Sequence, residues 1–245
     1  MKVQYLGDVN DYRKYALLRL LAEADLKLGV NWLLTPDDDR ADGNMRSYLA
    51  RPENFRSYDP ELFDVMGTVP DAPKFGDFEK VESKGVIPGA IYFSRYVPAG
   101  RQAREAFHAG SMGHFADCDL VFFDPDNGLA IQSTSKNRAN GIKFVFDDEL
   151  EAHYRVGRSL LFYQHFPRVD RRQFIRNLAT RLRGFAANAE IWACHTSHVL
   201  FMLVANPAGT GNHIEKVSTA LEAGRGRWSE DFIRFTPVAD LGMTD

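Results

Sequence analysis

Residues 119–128 read DLVFFDPDNG, and the fold follows from how this stretch is read. Apolar and aromatic residues from Leu120 to Phe123 favour a strand. Pro125 and Gly128 forbid its continuation and force the chain to turn. Upstream, residues 11–24 (DYRKYALLRLLAEA) are helix formers with Leu17, Leu18 and Leu21 on one face and Asp8 or Asn10 available as a cap. Gly29 breaks that pattern, and VNWLL (30–34) reads as a buried strand that empties into the acidic loop TPDDDRADG. Residues 90–96 read as a strand and 101–114 as a helix. Downstream, strands are expected at 142–146, 159–164, 190–194, 199–205 and 232–235, with helices at 148–155, 171–182 and 213–223. The strands at 190–194 and 199–205 have the look of an antiparallel pair. This alternation predicts a three-layer Rossmann-like α/β fold, with a mainly parallel sheet and one antiparallel strand pair near the C-terminus.

The chain has 245 residues, 44% of them hydrophobic and 26% charged, which fits one globular domain. Residues 44–85, rich in Pro, Gly and charge, read as an insertion or lid whose aromatic residues Phe55, Tyr58, Phe63, Phe75 and Phe78 would face a ligand. The longest wholly apolar run, Val199–Ala205, is too short to span a bilayer, and MKVQYLGDVN lacks a signal-peptide core, so a cytoplasmic protein without a membrane partner is expected. Cys118 and Cys194 have no CxxC spacing, which excludes a zinc ribbon and leaves two buried thiols. The net charge of −3 argues against a general nucleic-acid coat protein. The six arginines between 168 and 183 nevertheless make one helix face basic, and arginine suits bidentate contacts to RNA or DNA phosphates. A solvated outer face of a core-docking helix explains the same residues.

Ligands of open α/β sheets bind beyond the carboxyl ends of the strands, and three polar clusters fall there. They are Thr35 with Asp37, Asp38, Asp39 and Asp42; Asp124 with Asp126 and Asn127; and Gln164 with His165. The DPDNG turn presents two carboxylates and an amide from a rigid strand end, fit for orienting a base or holding a hard cation; it is equally a set of good turn residues. His195 and His198, in CHTSH between two strands, read as a hairpin turn rather than a metal site.

Several segments carry a family resemblance. GDVNDYRKYALLRLL (7–21) is similar to a pattern of the type hAGNfaDVLKHxxL, with matches at Gly7, Asn10, Asp11, Lys14 and Leu17. VNWLLTPDDDRADG stands where the pattern has a strand and cofactor loop, and Asp124-Pro125-Asp126-Asn127 stands where it has DPPY. GRSLLFYQHFPRVDRR (157–172) resembles GxxxxWYPIxDRR, and HVLFMLVANP (198–207) resembles GxGMLVxNPP. The chain thereby resembles class I S-adenosylmethionine-dependent methyltransferases, nearest the adenine-N6 methyltransferases of large-subunit ribosomal RNA. The resemblance implies S-adenosylmethionine as cofactor, contacted by Lys14, Thr35, Asp37, Asp38 and Asp42, and an acceptor site of Asp124, Asp126, Asn127 and His165. The first loop lacks the family's close glycine pair, and Asp126-Asn127 lacks the proline and aromatic residue that fix a flipped base, which implies a different target.

Two other functions fit the same residues. Asp37, Asp39, Asp124 and Asp126 could hold Mg²⁺ or Mn²⁺ for phosphodiester hydrolysis, with His165 as base or leaving-group acid. A non-catalytic binding protein on a degenerate methyltransferase fold needs none of this chemistry.

Overall fold

The computed structural model describes residues 1–38, 45–209 and 212–242. Asp39 and Asp42, named above as metal and cofactor contacts, lie outside the described residues. The chain runs α1 (Val9–Glu23), β1 (Leu28–Asn31), α2 (Pro52–Phe55), α3 (Pro60–Gly67), α4 (Phe75–Ser83), β2 (Ile91–Phe93), α5 (Arg101–His114) and β3 (Leu120–Phe123). It continues with β4 (Gly128–Leu129), β5 (Phe144–Val145), α6 (Asp147–Arg155), β6 (Ser159–His165), α7 (Arg171–Arg183), β7 (Glu190–His195), β8 (Val199–Ala205), α8 (His213–Arg227) and β9 (Arg234–Pro237).

A seven-stranded sheet has the order β2-β1-β3-β6-β8-β7-β9. The β2, β1, β3 and β6 strands run parallel, and β8 is antiparallel to both β6 and β7, as β9 is to β7. Five strands therefore share one direction and two oppose it. The architecture is mixed α/β, a mostly parallel central sheet with helices.

Alternate strand residues feed two separate cores, as a pleated strand requires. Leu120, Phe122, Leu161 and Tyr163 pack with α1, α3, α4 and α8. Val121, Phe123, Leu160 and Phe162 pack with α6 and α7 on the other face. On that second face Arg104 of α5 makes a buried two-pronged ion pair with Glu149 of α6, 2.7 and 2.8 Å, which ties the two helices together.

One expectation needs correction. The strand expected at 142–146 is a 3₁₀ turn, Ala139–Lys143, followed by the two-residue β5, which pairs in parallel with β4 outside the main sheet. It follows the DPDNG turn rather than the sheet because Asn127 N–H donates to Lys143 O and Ala130 N–H to Val145 O. The segment 45–85 is anchored in the core, and Met45 at its start lines the cavity described below. Tyr48, Leu62, Phe63, Met66 and Phe78 are buried in the core against α1, so burial of apolar surface fixes this insertion in place. No helix among the described residues is long and apolar enough to cross a membrane.

Gly29, in the middle of β1, lets α5 approach the sheet: a Cβ there would meet Phe115 Cδ1 at 2.6 Å. Gly29→Ala is therefore expected to lower stability by about 1–3 kcal/mol through overpacking. Chemical denaturation with an unchanged m-value is the check.

Candidate functional site

The first turn of α1 is held by its own residues. Asp8 caps it by accepting from Asn10 N–H and Asp11 N–H, both at 2.8 Å. Gly7 N–H donates to Asp11 Oδ2 at 3.1 Å, which orients that carboxylate along the helix entry. Three residues on, Lys14 extends its ammonium into the sheet end. It lies 2.6 Å from Asp11 Oδ1 and 2.6 Å from Asp124 Oδ2, the first residue after β3. The Trp32 and Tyr163 rings flank it, at 5.5 and 5.6 Å to their centroids. Burial opposes charge on Lys14, but Asp11 and Asp124 outweigh it and hold its pKa above the ordinary lysine value.

The turn after β3 is fixed from β6. Gln164 Oε1 accepts Leu129 N–H at 2.8 Å, and its Nε2 donates to His165 O at 2.8 Å. Gly128 adopts φ +99°, and a Cβ there would lie 2.3 Å from Gln164 Oε1, so glycine is required on both counts. This aims Asp126 and Asn127 away from the sheet. Asp126 lies 3.4 Å from Lys143 and 3.9 Å from Lys2, whose ammonium also pairs with Asp38 at 2.7 Å.

Two cavities meet at this turn. The first, about 330 Å³, is walled by Lys2, Asp8, Asp11, Lys14, Asp124 and Asp126, with Tyr163 behind them. The second, about 550 Å³, is mainly apolar, with Phe144, Phe166, Phe174 and Leu178 among its walls. Asn127 and His165 line both. Desolvation by the surrounding walls holds the His165 pKa below the ordinary histidine value, against the pull of Asp126 and Asp124.

Of the residues expected from sequence, Lys14, Asp124, Asp126, Asn127 and His165 come together here. Thr35, Asp37 and Asp38 do not line the cavity. Thr35 N–H donates to Met1 O at 2.9 Å, Asp37 accepts Gln4 N–H at 3.1 Å, and Asp38 N–H donates to Gln4 Oε1 at 2.9 Å. These residues pin the segment 1–5 across the sheet end, and Asp38 pairs with Lys2 of the cavity wall.

Among the described residues no group of three His, Cys, Asp or Glu side chains is placed to hold a metal ion. Between Asp11 and Asp124, where a cation would be held, stands the Lys14 ammonium. His195 and His198 border the turn of the β7–β8 hairpin, where Thr196 Oγ1 accepts the N–H of His198 and of Val199. Both cysteines are free and buried.

The arginine face of α7 is in good part tied into the fold. Arg171 Nε donates to Ser197 O at 2.6 Å, Arg176 Nε to Leu241 O at 2.9 Å, and Arg181 Nε to Asp147 Oδ1 at 2.8 Å. Arg168 and Arg172 stand exposed.

Sequence reasoning missed Asp8, Lys2, Lys143 and Tyr163 as parts of the site. In sequence Asp8 offers itself only as a cap and Lys143 as a mid-strand residue. No local pattern announces that the segment 1–14 crosses the ends of β1 and β3.

No family model matches the chain, and no curated protein matches it. Among solved structures, the crystal structure of protein LPL1258 from Legionella pneumophila strain Philadelphia 1, assigned to the DUF519 family model, is similar over 94% of this chain and 96% of that one. The identity is 12% and the TM-score 0.44.

Two substitutions test the charge network. Burial, helped by the Asp11 charge, pushes Asp8 up from 3.8 to about 8. The folded state then keeps a proton that the unfolded chain releases between those values, so this group's contribution to stability falls as pH rises from about 4 to about 8. Asp8→Asn keeps the cap acceptor without the charge. Its melting temperature is expected to match wild type near pH 4 and to exceed it at pH 8 by roughly 2–4 °C for each kcal/mol relieved. Lys14→Met strands two buried carboxylates and should cost about 3–5 kcal/mol, read by denaturant titration at neutral pH.

Proposed function

We propose that the protein is an S-adenosylmethionine-dependent methyltransferase whose cofactor binds in the charged cavity and whose acceptor enters from the apolar one. The observation that carries this reading is the junction: Asn127 and His165 border both cavities, beyond the ends of β3 and β6. A group-transfer enzyme needs two adjoining sites with an orienting group between them.

Two further features support it. The parallel half of the sheet has the Rossmann-like habit of winding outward in both directions, from β1 to β2 on one side and to β3 on the other, and the charged cavity lies beyond the carboxyl ends of β3 and its neighbour β6. Its walls also suit the cofactor's chemistry. Lys2 and Lys143 offer ammonium groups for a carboxylate, while Asp126 offers oxygens for an α-ammonium and a neighbouring sulfonium.

When bound, the cofactor supplies an electrophilic methyl group. Lys14 fixes Asp124 and so the start of the turn. Asn127, whose carboxamide has no hydrogen-bond partner among the described residues, orients the acceptor. His165 takes the proton that the acceptor's hydroxyl or amino group gives up, at an imidazole nitrogen. Phosphodiester hydrolysis on a metal is less well served, because the Lys14 ammonium stands between Asp11 and Asp124.

Titration calorimetry of the chelator-treated protein is the test. Micromolar binding of S-adenosylmethionine is expected, without Mg²⁺ or Mn²⁺ binding at the same site. Asp126→Asn should weaken it about 10–100-fold, the worth of one charge-assisted hydrogen bond. Metal binding without cofactor binding would replace this reading with the hydrolase, and absence of both would leave a binding protein.

A further inference from the structure

The apolar cavity differs from the charged one in a way that bears on what enters it. Phe144, Phe166 and Phe174 supply aromatic walls, and Phe166 meets Phe174 edge to face with centroids 5.8 Å apart. Leu129, Ile131 and Leu178 complete the lining, and Ile131 is 61% exposed, an apolar side chain standing at the rim. One cationic side chain, Arg181, is among the described residues that line this cavity, and its guanidinium is taken by Asp147 and by Ala130 O. The remaining polar groups are the amides of Asn127, Gln164 and Asn177 and the His165 imidazole. Gln164 is itself occupied in holding the turn. An anion entering here would lose its hydration without gaining an unshared positive charge. A neutral, flat, apolar molecule would lose little and gain aromatic contact on several sides.

We infer that the second cavity is a site for a neutral planar aromatic molecule carrying one hydroxyl or amino group, which Asn127 and His165 hold at the junction with the first cavity. As the acceptor site of a methyltransferase this rests on the function proposed above; as a binding site it stands without it. The size, about 550 Å³, suits a bicyclic or tricyclic molecule. The recognition is shape and apolar contact within the cavity, with direction supplied at one end by the two polar side chains.

The experiment is a fluorescence titration with 2-naphthol as the probe and adenosine 5′-monophosphate as the anionic comparison, in the absence of any cofactor. Wild-type protein should bind 2-naphthol saturably, and more tightly than the nucleotide. Ile131 is exposed, so charges there leave the fold intact. For a neutral occupant both Ile131→Asp and Ile131→Lys weaken 2-naphthol binding, by about tenfold, because either charge must be desolvated at the rim. Phe166→Leu should weaken it as well, with circular dichroism showing the fold retained. The inference is overturned if 2-naphthol does not bind saturably, or if its binding ignores both charge substitutions. It is equally overturned if the nucleotide binds better and Ile131→Lys tightens it, the response of an anion site. None of these readings depends on S-adenosylmethionine, so failure of this inference and failure of the cofactor reading are seen separately.

Discussion

The ammonium of Lys14, closed between Asp11 and Asp124 and walled by Trp32 and Tyr163, is the interaction on which the rest of the site depends. A buried lysine is tolerated only when its charge is answered at hydrogen-bonding distance, and so are the two carboxylates. That demand fixes the entry of α1 against the end of β3, since Asp11 and Lys14 share one helix turn. It fixes the backbone of Asp124 as well, whose N–H donates to Asn31 O of β1 at 3.0 Å. Two strands and a helix therefore meet at one point, and the DPDNG turn leaves from it.

The two cavities on either side of the turn show a division of labour. Charge is concentrated where Lys2, Lys143 and the carboxylates can answer one another, and is kept out of the neighbouring space, where phenylalanine rings face each other. Asn127 and His165 form the boundary. Asn127 stands there because Gly128 turns the chain and Gln164 fills the space that a side chain at Gly128 would need. The precision of the boundary thus comes from β6, a strand that contributes His165 as well.

Much of this was legible in the sequence, for reasons that can be named. Leu120 to Phe123 followed by Asp-Pro-Asp-Asn-Gly marks a buried strand with a hard stop, and the segments 190–194 and 199–205 do pair antiparallel as β7 and β8. Polar residues at strand ends pointed to Asp124, Asp126, Asn127 and His165. Composition misled at residues 44–85, where Pro and charge suggested a loose segment while Tyr48, Leu62 and Phe63 carried it into the core. Asp37 and Asp38 misled for the opposite reason: a run of acids draws the eye, yet these oxygens serve Gln4 and Lys2. The parts of the site on residues 1–14 were hidden because their partners lie on β3 and β6, and local patterning does not report on contacts of that range.

That range has a kinetic consequence. Lys14 and Asp124 are 110 positions apart, and the Met1 nitrogen that donates to Asp124 O is 123 positions away. Closing such loops carries an entropic cost before any contact rewards it, and folds that rely on distant pairings form slowly. Neither α1 nor the DPDNG turn can assemble the charged wall alone. The charged wall therefore requires the docking of the first helix onto the sheet.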